Sequence, residues 1–201
     1  MDVRLDYPAT QRNREPIAAA LSDKLPASGL FLEIASGSGQ HVVYLAERFP
    51  GLTYQPSDPD ERACTSIAAW IAHSGHPHIR PPLAIDAATG QFPLDADSVD
   101  VVFNANMVHI APWSACVGLM RGAGRCLKPH GQLIMYGPYR LAGQHTAPSN
   151  EAFDADLKAR NPEWGVRDLA DVQQVAAAEG LNFVQQVPMP ANNLLVFYSK
   201  T

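Results

Sequence analysis

Residues 32–42, Leu32-Glu33-Ile34-Ala35-Ser36-Gly37-Ser38-Gly39-Gln40-His41-Val42 or LEIASGSGQHV, hold the change of rhythm that decides the fold. Up to them, Leu30 to Ala35 is short and nearly all apolar, the pattern of a strand at the centre of a parallel sheet. Beyond them, His41 to Phe49 has helical spacing, which Pro50-Gly51 stops. Between lie small residues, with the acid Glu33 just ahead of them. Gly37 and Gly39 leave the backbone bare where a strand turns into a helix, so a ligand can lie across it. The helix start adds free N–H groups and a positive dipole end. The same segment also reads as a tight turn with no ligand.

Working outward, the chain repeats the unit. Leu52 to Ser57 reads as a second strand, and Asp58-Pro59-Asp60 opens a helix that ends near His73. Ile79 to Ile85 is a weaker third strand holding two prolines, and Val99 to Phe103 is a strong fourth. A helix from Trp113 to Cys126 leads to a fifth strand, Gln132 to Tyr136. Residues 137–167 then lose the rhythm, with one short helical piece near Asn150 to Lys158; a long irregular insertion in a compact domain reads as functional or disordered. A helix over Asp168 to Glu179 follows, capped by Gly180. Phe183 to Val187 and Leu194 to Ser199 are too close for a crossover helix, so they pair antiparallel. A helix over residues 11–25, with Pro16 in an early position, precedes everything. The expectation is one α/β domain, 1–201, with helices on both faces of a mostly parallel sheet. Ligands of such sheets bind beyond the carboxyl ends of the strands.

Composition narrows the function. With 201 residues and 46% hydrophobic content there is enough chain for one full core. A net charge of −5, with 15 scattered Lys and Arg, argues against nucleic-acid partners. No apolar run approaches the ~20 residues of a membrane span, and the N-terminus has no signal-peptide core. Three isolated cysteines, Cys64, Cys116 and Cys126, fit reduced thiols in a cytoplasmic protein. His73, His76 and His78 have no acidic or cysteine neighbour, so no metal is expected.

Two cofactor patterns compete for the glycine turn. A dinucleotide fingerprint needs a third glycine where Val42 stands, and no Tyr-x-x-x-Lys pair supports a nicotinamide-dependent oxidoreductase. Glu33-x-Ala35-x-Gly37-x-Gly39 instead resembles motif I of class I S-adenosylmethionine (SAM)-dependent methyltransferases, with Ala35 in the first glycine slot. Asp58, Asp86 and the Asn104-Ala105-Asn106-Met107 run fall at three successive strand ends. There a carboxylate can accept both hydrogen bonds of a ribose diol. Asp58 and Asp86 also read as helix N-caps, and the Asn pair as a surface turn.

Further segments, QRNREPI, NANMVHIAPW, LIMYGPY, SNEAFD, RNPEWGVRDL and MPANNLLVFY, are spread over nearly the whole chain. With the glycine turn they resemble the DUF938 family, also called UPF0585 or methyltransferase-like 26, which is assigned to the class I SAM-dependent methyltransferases. The resemblance implies a Rossmann-like class I fold with seven strands in the order 3-2-1-4-5-7-6, the last antiparallel, and SAM as cofactor. It places the cofactor at Arg12, Asn13, Glu33, Ala35, Ser36, Gly37, Gly39, His41, Asp58, Asp86, Ala87, Asn104, Asn106 and Met107. A small-molecule acceptor is expected, met by Arg14, His109, Tyr136, Tyr139, Arg140, His145, Asn150 and Trp164, with residues 137–167 as a lid. His109, His145 and Tyr139 are the candidates for catalysis. Arg12 and Arg14 suit either the methionine carboxylate of the cofactor or an anionic substrate group. A SAM-binding protein without catalysis is the alternative from another class.

Overall fold

Apolar runs separated by amphipathic helices give a sheet that needs cover on both faces, and the chain supplies it. The computed structural model describes residues 2–201. In chain order the elements are α1 (Pro8–Leu21), β1 (Gly29–Ile34), α2 (Gln40–Arg48), β2 (Leu52–Ser57), α3 (Glu61–Ser74), β3 (Val99–Ala105), α4 (Trp113–Cys126) and β4 (Leu127–Gly137). A small hairpin, β5 (Arg140–Leu141) and β6 (Gln144–His145), comes next, then α5 (Pro148–Arg160), α6 (Leu169–Ala178), β7 (Leu181–Met189) and β8 (Asn193–Lys200). The main sheet has the order β2-β1-β3-β4-β8-β7. The first four strands are parallel, while β8 runs antiparallel to both β4 and β7.

Six strands form the ladder where seven are expected, and the difference is chemical. Residues 79–85 do lie beside β2, joined by isolated parallel bridges at Ile79 and Leu83. Pro81 and Pro82 have no N–H to donate, so the ladder breaks between the bridges. The strand order is otherwise the expected one.

Period-two alternation splits the core in two. Leu32, Val102, Leu133, Val196 and Tyr198 point to the face covered by α4 and α6. Phe31, Val101, Phe103, Ile134 and Phe197 point to the face covered by α1 and α2. Cys116 and Cys126 are buried with the first group. The helix α1 begins and ends earlier than the sequence suggests. Pro8 takes the first-turn position, Pro16 sits inside the helix, and Leu25 lies in the turn beyond it. Residues 137–167 hold more regular structure than expected, since the β5–β6 hairpin and α5 occupy most of them.

Gly39, at the start of α2, is demanded by packing. Its φ is 89°, and a Cβ there would meet the Ile67 Cα of α3 at 2.8 Å. Gly39→Ala is therefore expected to cost about 1–3 kcal/mol. In a urea titration the midpoint should fall while the slope stays the same; an unchanged midpoint would show that α2 and α3 can part.

Candidate active site

The turn after β1 is left-handed three times, at Ala35 (φ 57°), Gly37 (φ 57°) and Gly39 (φ 89°). For Ala35 this costs about 1 kcal/mol, and β2 holds the turn in place. Ser36 N–H donates to the Ser57 carbonyl at 2.8 Å, and Ser57 Oγ donates to the Glu33 carbonyl at 2.7 Å. The Asp58 carboxylate accepts from Gly37 N–H at 2.9 Å and from Asp60 N–H at 3.0 Å. Burial raises the Asp58 pKa above its ordinary value, against the two backbone bonds. Each of its oxygens retains a lone pair, so the carboxylate can still accept from a diol.

Gly37 and Gly39 thus have different reasons to be glycine. The open side of Gly37 faces the Tyr7 ring, which a Cβ would approach to 3.2 Å. Tyr7 arrives on a strap, residues 2–7. Leu5 N–H donates to Ser66 Oγ at 2.7 Å, the Trp70 indole to the Leu5 carbonyl at 2.9 Å, and Tyr7 N–H to Gln40 Oε1 at 2.8 Å.

Beneath the turn runs a buried polar row. Glu33 is 1% exposed. Burial first, and the charge of Asp58 next, push its carboxyl from an ordinary 4.5 up to about 8. His41 Nδ1 stands 4.0 Å from it. Burial lowers the imidazole to about 4, so both groups are uncharged at neutral pH. The other ring nitrogen of His41 bonds Asn13 Oδ1 at 2.8 Å, tying α2 to α1.

Beyond the ends of β3 and β4 opens a cavity of about 610 Å³. Arg12, Asn13, Asn106, Tyr136, Asn150 and Phe153 are among the residues lining it. Asn106 adopts φ 64°, a conformation asparagine tolerates. Asn150 is fixed by donating to the Asn192 carbonyl and to Thr146 Oγ1, both at 2.9 Å. Burial, opposed by a hydrogen bond with Asn13, raises the Tyr136 phenol above its ordinary value.

The other sequence candidates lie elsewhere. His109 is 0% exposed. Burial, and then the charge of Arg167, lower it to about 3. Its Nδ1 accepts from Arg167 N–H at 3.3 Å, so the neutral ring carries its proton on Nε2 and has no lone pair there to act as a base. Tyr139 packs edge-on to that ring, 1% exposed, inside the core. His145 Nε2 stands 3.3 Å from Asp154, the acid that also binds Lys158 at 2.6 Å and Val166 N–H at 2.7 Å. Arg14 lies over the Tyr44 ring and Trp164 under Arg160, while Arg140 lies with Trp113 and Arg167 by a separate cleft. Asn104 is buried and donates to the Ile34 carbonyl at 2.9 Å, bridging β1 and β3. Met107, 8% exposed, opens the short turn after β3. Asp86 caps a one-turn helix through Ala88 N–H, and Ala87 packs against α4 at Gly118.

A family model described as "Protein of unknown function (DUF938)" matches residues 4–200. The chain belongs to the DUF938 family. Its fold is that of class I methyltransferases. Mitomycin 7-O-methyltransferase MmcR superposes with a TM-score of 0.82 at 17% identity, over 96% of this chain and 54% of that one. A putative O-methyltransferase from Nostoc punctiforme gives 0.81 at 18%, over 96% and 57%. Human N-acetylserotonin methyltransferase, solved in complex with SAM, gives 0.77 at 16%, over 96% and 52%. This DUF938 chain spans a little over half the length of these neighbours. No helix among its described residues is long and apolar enough to cross a membrane.

In the DUF938 chain the cavity also takes residues that the sequence did not single out. Ile110 and Phe153 are 45% and 37% exposed, large apolar side chains left at the rim. Tyr7 gave no signal, because it lies in a polar stretch ahead of the first helix. The buried row supplies a test by pH. Between about 4.5 and 8 the unfolded chain has lost the Glu33 proton that the folded chain retains. Stability from this group is therefore full below 4.5 and is lost as the pH rises through 8. Glu33→Gln has no such dependence, so its stability relative to wild type should climb by up to a few kcal/mol from pH 5 to 8 in denaturant titrations. A constant difference would mean that Glu33 is ionised when folded.

Proposed function

We propose that this protein is a SAM-dependent methyltransferase with a small-molecule acceptor. The observation that carries the reading is the pinned turn at Gly37, with a carboxylate at the end of β2 and a separate cavity beyond β3 and β4. Gly37 is half-buried with only the Tyr7 ring over its open side, Asp58 has spare acceptor sites for a ribose diol, and buried Glu33 Oε2 has no partner in the fold. Gly37, Asp58, Asn106 and the exposed carboxylate of Asp86 would hold the cofactor. When bound, SAM supplies an activated methyl group on a sulfonium.

What the chain itself contributes is placement. Asn106 follows β3 and lines the cavity, so a donor held at the ends of β1 and β3 would lie on the side of the sheet where the acceptor enters. Orientation of this kind is worth roughly 7–11 kcal/mol of barrier. The fold likeness to methyltransferases, at low identity, supports the class of reaction and leaves the acceptor to the cavity.

Binding and turnover test the reading separately. S-adenosylhomocysteine or SAM should raise the melting temperature, and NAD should not. At 100 times its Kd a ligand adds about 2.7 kcal/mol. Asp58→Ala should weaken S-adenosylhomocysteine by about tenfold or more, with an unchanged circular dichroism spectrum. A shift with NAD alone, or full affinity in Asp58→Ala, overturns the proposal. Binding without transfer of a labelled methyl group to any extract metabolite would favour the non-catalytic sensor.

A further inference from the structure

The 610 Å³ cavity beyond β3 and β4 is the size of a small organic ligand. Its rim is apolar, with Ile110, Phe153 and the prolines 16 and 138. Its polar side chains are asparagine amides and the hydroxyls of Tyr136 and Ser149, none of them a base, and its one formal charge is Arg12. No carboxylate lines it, and among the described residues none pairs with Arg12. Arg14 and Arg140 carry no weight here, since they lie over Tyr44 and by the Trp113 cleft.

Two consequences follow from that lining. An ammonium ligand would bring a positive charge beside Arg12 with no acid to receive it, which is repulsive. A guanidinium with free donors instead suits a carboxylate, which it can grip with two parallel hydrogen bonds. The lining also lacks a proton acceptor. Arg12 stays charged and Tyr136 stays protonated. His109 behind the wall presents Nε2–H and is no base. An acceptor atom must therefore arrive with no proton to lose.

We propose that the cavity takes a small organic anion, an apolar body carrying one carboxylate, with Arg12 as its counter-ion. The proposal rests on the methyltransferase reading only for the fate of that carboxylate. There the ionised oxygen forms the new bond to the methyl carbon, the electron pair of the broken carbon–sulfur bond stays on the donor's sulfur, and no proton is released. The product is a methyl ester. Binding itself requires no cofactor.

Calorimetric titration of the full chain, alone and saturated with S-adenosylhomocysteine, reads this directly. The probes are 1-naphthoate and the equally bulky cation 1-naphthylmethylammonium. The naphthoate should bind about tenfold or more tighter, and Arg12→Met should erase that preference. The same variant should leave S-adenosylhomocysteine affinity within about twofold. Arg12 is on an exposed face of α1, and an unchanged circular dichroism spectrum checks that the variant folds. Equal binding, tighter binding of the ammonium ion or no binding of either probe overturns the proposal. So does a variant that loses S-adenosylhomocysteine while keeping the naphthoate preference, since Arg12 then serves the cofactor. If S-adenosylhomocysteine fails to bind wild type while the naphthoate preference stands, the methyltransferase reading fails and the anion site survives.

Discussion

The grip of β2 on the turn after β1 governs the rest of the site. Three left-handed residues in five would unwind in an isolated chain. Here Ser57 and Asp58 bind the backbone of Glu33, Ser36 and Gly37 from the neighbouring strand. With the turn fixed, α2 starts at Gln40, and its first two side chains reach outward. Gln40 holds the backbone of the strap at Tyr7, and His41 holds Asn13 of α1. Asn13 itself lines the cavity, so these bonds, joined through the backbone of the turn and of α2, connect β2 to the cavity wall, and the first of them is made by one aspartate.

The charges of the site are sorted by burial. Glu33, His41 and His109 are all buried where a charge would lose its hydration, and each is held in its neutral form. Two polar groups remain to meet a ligand, the Asp58 carboxyl beside the glycine turn and the Arg12 guanidinium at the cavity. Keeping the buried groups neutral spares the site a buried ion pair, which would carry a desolvation cost of several kcal/mol per ion.

Much of this was legible in the sequence, for identifiable reasons. The strands were read from apolar runs and the turn from its small residues, because those patterns follow local sterics. The start of α1 was not legible, because Pro16 suggests an early helical position while the helix begins at Pro8 and carries Pro16 in its interior. Arg12 and Arg14 looked equivalent, yet two helical residues are about 200° apart; one faces the cavity and the other faces α2. After β3 no periodicity tells inside from outside. The positive φ of Asn106 turns its side chain to the cavity, and the tight turn that follows buries His109. Tyr139 is an aromatic in a loop by pattern and a core residue by position.

The insertion, expected to act as a lid, forms one wall of the cavity in this structure. Asp154 takes hydrogen bonds from Lys158 on its own helix and from the backbone of Val166 in the returning loop, with His145 of the hairpin on the same oxygen as Lys158. Asn150 ties the start of α5 to the turn after β7. Opening α5 would break these contacts together and expose the buried acid, so the insertion has few soft joints. Entry to the cavity is left to the rim that is already open, where Ile110 and Phe153 expose apolar surface. A ligand entering there meets apolar surface, with the exposed Arg12 on the same wall as the charge it can pair with, so selection for an apolar body with one negative charge is set by the chemistry of that open rim.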